Sequence, residues 1–374
     1  MSRLFLLAWR NVVRQRRRTL FALASLIVGL AGLVVFQGYI SRTMAGFRDS
    51  TIHGGLGHLQ IAATEKYYAE GEFNPFAFAL PDAAGLARSI ASIRGVTAVF
   101  PSTGFTAIAG FGDKSVTLLV KGYPSERMRF GTAADRAIDP DTFDLGPLSS
   151  GSEIAVGDRN GIVLGDTAAR ILGARPGDVV TLMAILPDGG LEGRDFTVKG
   201  TYAGPGRDRI FAFTDYDSAM DFTHQTAPPL LHIFLDNAEF AGPLAGELAP
   251  KGAVRTWRDL ATYYVQVNSM FRGFLDVIRA IILIITLFVL GNAMNRIVFE
   301  RMAEWGTLRA MGTTRRDLLV LLLFEGLLIG VVGAVVGIGA GFGVSGLLDL
   351  FGGIPFSDGG SRFLIKVVPD PGSA

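Results

Sequence analysis

The sequence predicts an α-helical membrane protein with three transmembrane spans and a large α+β domain inserted between spans 1 and 2. Three observations predict it. Apolar runs cluster at 19–40, 274–298 and 318–350, and each reaches the roughly 20 residues that cross a hydrocarbon core of about 30 Å. Arginines crowd the flanks of these runs. Between them, 41–270 reads like a soluble domain, with turn residues, charges and short alternating segments. The mean hydropathy of +0.38, with 49% hydrophobic and 18% charged residues, exceeds that of an ordinary soluble chain.

The first span, 19–40, follows a dense basic segment, 1–18, with Arg3, Arg10, Arg14, Arg16, Arg17 and Arg18. Cytoplasmic loops carry the excess of Lys and Arg, so the N-terminus is expected inside. A cleaved signal peptide also begins with basic residues before an apolar run. This run is too long for one, and no small-residue cleavage site directly follows it. The second span, 271–298, is densest at Ala280–Gly291, and the next segment, 299–316, carries Arg301, Arg309, Arg315 and Arg316, with Arg296 just before it. It is expected to be cytoplasmic again. The third span, 317–350, then leaves the tail 351–374 outside, on the same side as 41–270.

Within 41–270, strands are predicted around His58–Ala62, Phe105–Ala109, Ser115–Lys121, Asp178–Ala184, Arg194–Tyr202 and Leu231–Leu235. Gly110–Lys114 and Pro187–Gly190 read as hairpin loops. Helical periodicity marks Asp82–Ile93, Gly161–Leu172, Asp215–Phe222 and Glu239–Leu248. About 230 residues suffice for a core of their own.

In the third span, Gly326, Gly330, Gly333, Gly337 and Gly341 recur at steps of four and three. That spacing stacks them on one face, where another helix can approach closely. Glu325 lies about two turns into the same helix, costly there unless paired or facing a wet interior, whereas at headgroup depth it needs no partner. Both readings stand. Asp276 and Arg279, three apart at the outer end of the second span, are placed to pair.

The segment Phe299-Glu300-Arg301-Met302-Ala303-Glu304-Trp305-Gly306-Thr307-Leu308-Arg309-Ala310-Met311-Gly312, passing through Arg315-Arg316-Asp317 to Phe324-Glu325-Gly326, resembles the R-x-x-E-[IW]-G-x-L-R-A-x-G signature of FtsX-like permeases. That family includes MacB and the lipoprotein-releasing LolC/LolE proteins. Ala8-Trp9-Arg10-Asn11 is similar to the family's start, Gly57-His58-Leu59-Gln60-Ile61 to the segment after its first helix, and Gly161–Gly165 through Leu172-Gly173 to Pro176-Gly177-Asp178 to its external core domain. The resemblance covers nearly the whole chain and leans toward the lipoprotein-releasing branch.

The resemblance implies a bacterial inner-membrane permease subunit without ATPase activity, partnered by an ABC ATPase and by a second permease copy or a paralogue. It implies that a cytoplasmic coupling segment, Glu300, Arg301, Glu304, Trp305, Gly306, Leu308, Arg309, Met311 and Gly312, receives the ATPase's motion. The residues suit that role. Glu300 and Glu304 lie one turn apart with Arg301 and Arg309, Trp305, Leu308 and Met311 supply apolar surface, and Gly312 can end the helix left-handed. From charge pattern alone, a solvated hairpin resting on lipid headgroups reads equally well. The family has four spans, and no fourth apolar run precedes Ala374. The expectation is a truncated or shortened member, or one whose partner supplies the missing packing surface, which puts a homodimer in doubt.

Several chemistries are absent from the sequence. With no Cys there are no disulfides, thiolate metal sites or cysteine nucleophiles. Gly112-Asp113-Lys114-Ser115 lacks the glycine before lysine of a phosphate-binding loop. His53, His58, His224 and His232 show no zinc-ligand spacing, and Gly343-Val344-Ser345-Gly346 fails the hydrolase elbow pattern. No catalytic, cofactor or metal site is expected. A net charge of +1 gives no reason to expect nucleic acid. Spans this poor in polar residues favour transmission of motion over a hydrophilic channel, and the resemblance to the lipoprotein-releasing branch implies an envelope lipoprotein or lipid as substrate. Two other roles stay open: a non-transporting regulator of cell-wall hydrolases, and an efflux permease working with a periplasmic adaptor.

Overall fold

The computed structural model describes residues 16–71, 75–131, 141–186, 189–204, 210–300, 302–351, 354–358 and 361–365. The chain divides into two compact units, Met1–Gly46 with Gln266–Ala374, and Phe47–Val265.

Among the described residues, three helices are long and apolar enough to cross a membrane. The first helix is Arg16–Thr51, the second Thr262–Glu300 and the third Arg315–Leu350. At about 1.5 Å per residue they measure roughly 54, 58 and 54 Å. The first two therefore continue beyond their apolar runs, so the domain begins nearer 47 than 41. After the third helix an antiparallel hairpin pairs Ile354–Asp358 with Ser361–Ile365, where the sequence predicts only a tail.

The large unit carries strands β1 (Leu59–Ala62), β2 (Val96–Phe111), β3 (Lys114–Tyr123), β4 (Met128–Arg129), β5 (Phe143–Asp144), β6 (Leu148–Gly151), β7 (Gly161–Gly165), β8 (Val179–Ile185), β9 (Leu191–Tyr202), β10 (Phe211–Asp215), β11 (Leu230–Leu235) and β12 (Ala253–Thr256). Two architectures share β2. Residues 96–102 pair with β11, completing an antiparallel sheet ordered β12-β1-β11-β2. The helix Ala83–Ala91 connects β1 to β2, and Ala241–Leu248 connects β11 to β12. This is the βαββαβ arrangement of ferredoxin-like folds, with everything from 103 to 229 inserted at its centre.

The insertion is a ring of strands. From Thr103 onward β2 pairs with β3, β3 with β10, β10 with β7, β7 with β9, β9 with β8, and β8 returns to β2 at Ile108↔Met183. Alternate residues point inward, as strand geometry requires. Phe105, Ala107, Ala109, Leu118, Val120, Val180, Leu182, Phe196 and Val198 thereby join one core with the helices Asp166–Leu172 and Tyr216–Phe222. The two-residue turn Gly112-Asp113 joins β2 to β3, with Gly112 at φ +61°, as a tight hairpin demands.

The helix expected over Gly161–Leu172 needs correction as well. Gly161–Leu172 is not one helix: Gly161–Gly165 is β7, buried on both faces, and only Asp166–Leu172 is helical. A strand covered on both sides reads as an unbroken apolar run, so its period merges with that of the helix that follows. Phe222 is fully buried against Phe105 and Phe196, with ring centroids 5.2 and 5.7 Å away. Phe222→Ala should cost about 3–5 kcal/mol, read as a lowered urea midpoint of the large unit with an unchanged slope.

Candidate functional site

The elbow between the second and third helices is built from a short helix and two caps. The helix Met302–Ala310 closes through Met311 N donating to Thr307 O (3.0 Å) and Gly312 N to Arg309 O (3.0 Å). Gly312 takes φ +94°, which an L side chain adopts only with strain. Thr314 then caps the third helix: its Oγ1 accepts from Asp317 N (3.2 Å), and Asp317 Oδ2 accepts from Thr314 N (3.2 Å). That reciprocal box satisfies two backbone donors at the start of the helix. Its T-x-x-D spacing was readable in the sequence.

Around this elbow Glu300, Gly306, Arg309, Met311 and Gly312 are exposed, and Trp305 is half-buried. Glu304 and Leu308 occupy positions within the helix, their side chains outside the description, and Arg301 lies outside the described residues. Phe299 and Met302 are apolar and exposed beside Met311, at 64%, 60% and 75%. The sequence reading passed over the first two. Their signal was available as large apolar side chains interleaved with charges where the apolar run has ended.

The third helix buries Leu318, Leu321, Glu325, Ile329, Gly333, Gly337, Gly341 and Ser345. From Leu321 on, the step is four residues throughout, the spacing of small-residue seams between membrane helices. Against the first helix, a Cβ on Gly333 would collide with the Leu26 side chain. One on Gly337 would stand 3.0 Å from Leu30 Cβ and 3.2 Å from Ile27 Cα, and one on Gly341 2.7 Å from Val34 Cβ and 3.2 Å from Ala31 Cα. Gly326 instead lies near Met294 of the second helix, 3.7 Å from its Cε, and Gly330 meets nothing within 4 Å. The close seam is thus narrower than the glycine spacing predicts. Gly326 and Gly330 sit one residue, about 100°, round from the buried Glu325 and Ile329.

Glu325 is only 4% exposed, so its place is the seam. Ser345, at the far end of the same face, buries an Oγ with no hydrogen-bond partner among the described residues. Asp276 and Arg279 pair at 2.8 Å on the exposed surface of the second helix. Phe36 and Phe274, centroids 6.4 Å apart, and Gly29 with Ile282 join the first helix to the second.

In the large unit, the end of the first helix and the start of the second are held by aromatic contacts. Phe47 lies 6.0 Å from Tyr263 and 5.4 Å from Tyr264, and Tyr264 lies 5.1 Å from the buried Trp257. Beyond Thr51 the first helix widens into a π-turn, Ile52–Leu56, and enters β1 through Gly57 at φ +72°. Three of the four histidines converge there. The His53 ring is 6.2 Å from that of His58, and both pack on Phe234, while His232 reaches the same turn through Leu56 O, 3.0 Å from its Nδ1. Sequence spacing treats these histidines as isolated. Folding brings them together, yet among the described residues no trio of His, Asp or Glu is placed to hold a metal.

A profile of the MacB-like periplasmic core domain matches residues 19–240, and one of the FtsX-like permease C-terminal region matches 277–366. The chain belongs to the MacB/FtsX-type permease family. Among similar proteins, the ABC transporter permease YvrN of Bacillus subtilis is 22% identical over 94% of this permease and 88% of its own length. LolC of Haemophilus influenzae, a transmembrane protein of the lipoprotein-releasing system, is 26% identical over half of each chain. The solved periplasmic region of MacB from Actinobacillus actinomycetemcomitans aligns with 57% of this permease and 94% of that chain, at 14% identity and a TM-score of 0.38.

The C-terminal profile of the permease takes in most of the second helix, the elbow and the third helix. The core-domain profile takes in the first helix and the large unit through β11. The permease is a component of an ABC transporter.

Proposed function

We propose that this permease passes the motion of a separate ABC ATPase from the elbow Glu300–Gly312 through its membrane helices to the large unit, and thereby extracts or moves an envelope lipoprotein or lipid. The elbow carries the reading. It offers apolar side chains, Phe299, Met302 and Met311, standing exposed among Arg296, Glu300, Arg309, Arg315 and Arg316, the composition of an anchor with a charged rim. In this reading, which the arginine bias supports, the elbow and the N-terminus are cytoplasmic and the large unit lies outside an inner membrane. A second copy or a paralogue would complete the assembly. Likeness to LolC favours lipoprotein or lipid as substrate over the regulatory and efflux roles.

Sided labelling tests the topology. The chain has no Cys, so Asp113→Cys at the β2–β3 turn and Met311→Cys at the elbow each give a single thiol. In intact spheroplasts an impermeant maleimide should label Asp113→Cys and spare Met311→Cys until the cells are lysed. Labelling of both in intact spheroplasts would end the proposal.

A further inference from the structure

Three imidazoles stitch the exit turn of the first helix to strands distant in sequence. His58 Nδ1 accepts from Leu235 N at 3.2 Å, beside the point where the β11–β2 register shifts between Phe234 and Leu235. An Nδ1 that accepts carries no proton. His232 is fully buried: Nδ1 meets Leu56 O at 3.0 Å and so donates, leaving Nε2 to accept from Ser102 Oγ at 2.8 Å. His53 Nδ1 reaches Thr142 O at 2.9 Å. The bonds of His58 and His232 suit neutral rings, and the walls around them are Phe100, Phe143 and Phe234.

We propose that this cluster is an acid-released latch: protonation of His58 and His232 frees the exit turn of the first helix from strand β11. A proton on His58 Nδ1 sets N–H against the N–H of Leu235, and a second proton on His232 places a charge in an aromatic box. The charged and titratable neighbours are few. His53, Arg48, Asp49 and Asp236 act on His58, and Lys121 acts on His232. Tyr123 packs on the His232 ring, and Arg127 lies beyond Phe100. Asp49 and Asp236 favour the proton on His58, while His53, Arg48 and, at His232, Lys121 oppose it.

Burial pushes both rings down to about 4 from an ordinary 6.5. Between these values the open form binds more protons than the closed form, so stability falls as pH falls. The latch is shut above about pH 6.5 and releases on descent toward 4. Its exposure to an acid medium rests on the outward placement of the large unit proposed above, whereas release itself is measurable in detergent.

Full-length chain carrying Ser50→Cys and Glu239→Cys, spin-labelled at both, reports the distance between the exit turn and the β11 side by electron–electron resonance. One narrow distribution is expected at pH 7.5, and at pH 4.5 a broad second component holding more than half of the molecules. His58→Asn with His232→Gln keeps acceptors and a donor that do not titrate, and should stay narrow at pH 4.5. His224→Asn, at an exposed histidine, should respond like the parent. An unchanged parent distribution, or opening of the double variant to the same extent, overturns the latch. Where the double variant misfolds, ¹³C-histidine-labelled parent decides. Opening must track the two low-titrating rings, and opening that tracks His224 overturns the proposal.

Discussion

Glu304→Lys combined with Met302→Asp and Met311→Asp is expected to lower stimulation of the partner ATPase in reconstituted vesicles at least about tenfold, and to abolish co-purification of the two subunits. Burying an apolar anchor in a partner's pocket is commonly worth about 2 kcal/mol or more, and 1.4 kcal/mol is a factor of ten in affinity. Met302 and Met311 stand exposed in the free chain, so aspartates there cost the permease little by itself and fall on the complex. Asp113→Lys, at the β2–β3 turn of the large unit, serves as the charge-reversal control and should leave stimulation unchanged. If the elbow variant elutes as the parent does and still stimulates its ATPase fully, force enters the permease elsewhere.

The second large effect belongs to the seam. Gly337→Leu puts a branched side chain where even a Cβ would stand 3.2 Å from Ile27 Cα and 3.3 Å from Ile27 O. Backbone atoms cannot swing aside, so the first and third helices must part, loosening the contacts at Gly333 and Gly341 together. Overpacking of this kind costs typically about 1–3 kcal/mol, and here one insertion disturbs three contacts. The contrast is Gly339→Leu, two residues along, where nothing lies within 4 Å and leucine also has the better helix propensity. In detergent, Gly337→Leu should melt well below the parent and Gly339→Leu at or above it. Equal melting temperatures would mean that the seam contributes nothing to stability.

The elbow and seam were partly legible. Gly312 ending a helix at positive φ follows from glycine's freedom and its place after a charged helix, and Thr314 with Asp317 is a local pattern. Which glycines meet another helix was not legible. Five glycines share a spacing, but the partner's position round the third helix chooses Gly333, Gly337 and Gly341 and leaves Gly330 open. The ring of strands shows the same limit: it closes through Ile108↔Met183, a pairing that neither strand's own pattern encodes.

A local reading of the residues is enough for the class of molecule: a membrane protein with three long apolar helices and an α+β domain between the first two. Hydrophobic transfer is nearly additive along a local stretch, so about 20 residues suffice to declare a span. Tertiary contacts alone reveal that β2 serves two sheets, and that His53, His58 and, more than 170 positions downstream, His232 gather at the root of the first helix. Such contacts depend on pairs of distant residues reaching one place, and each residue's own chemistry leaves its partner unspecified.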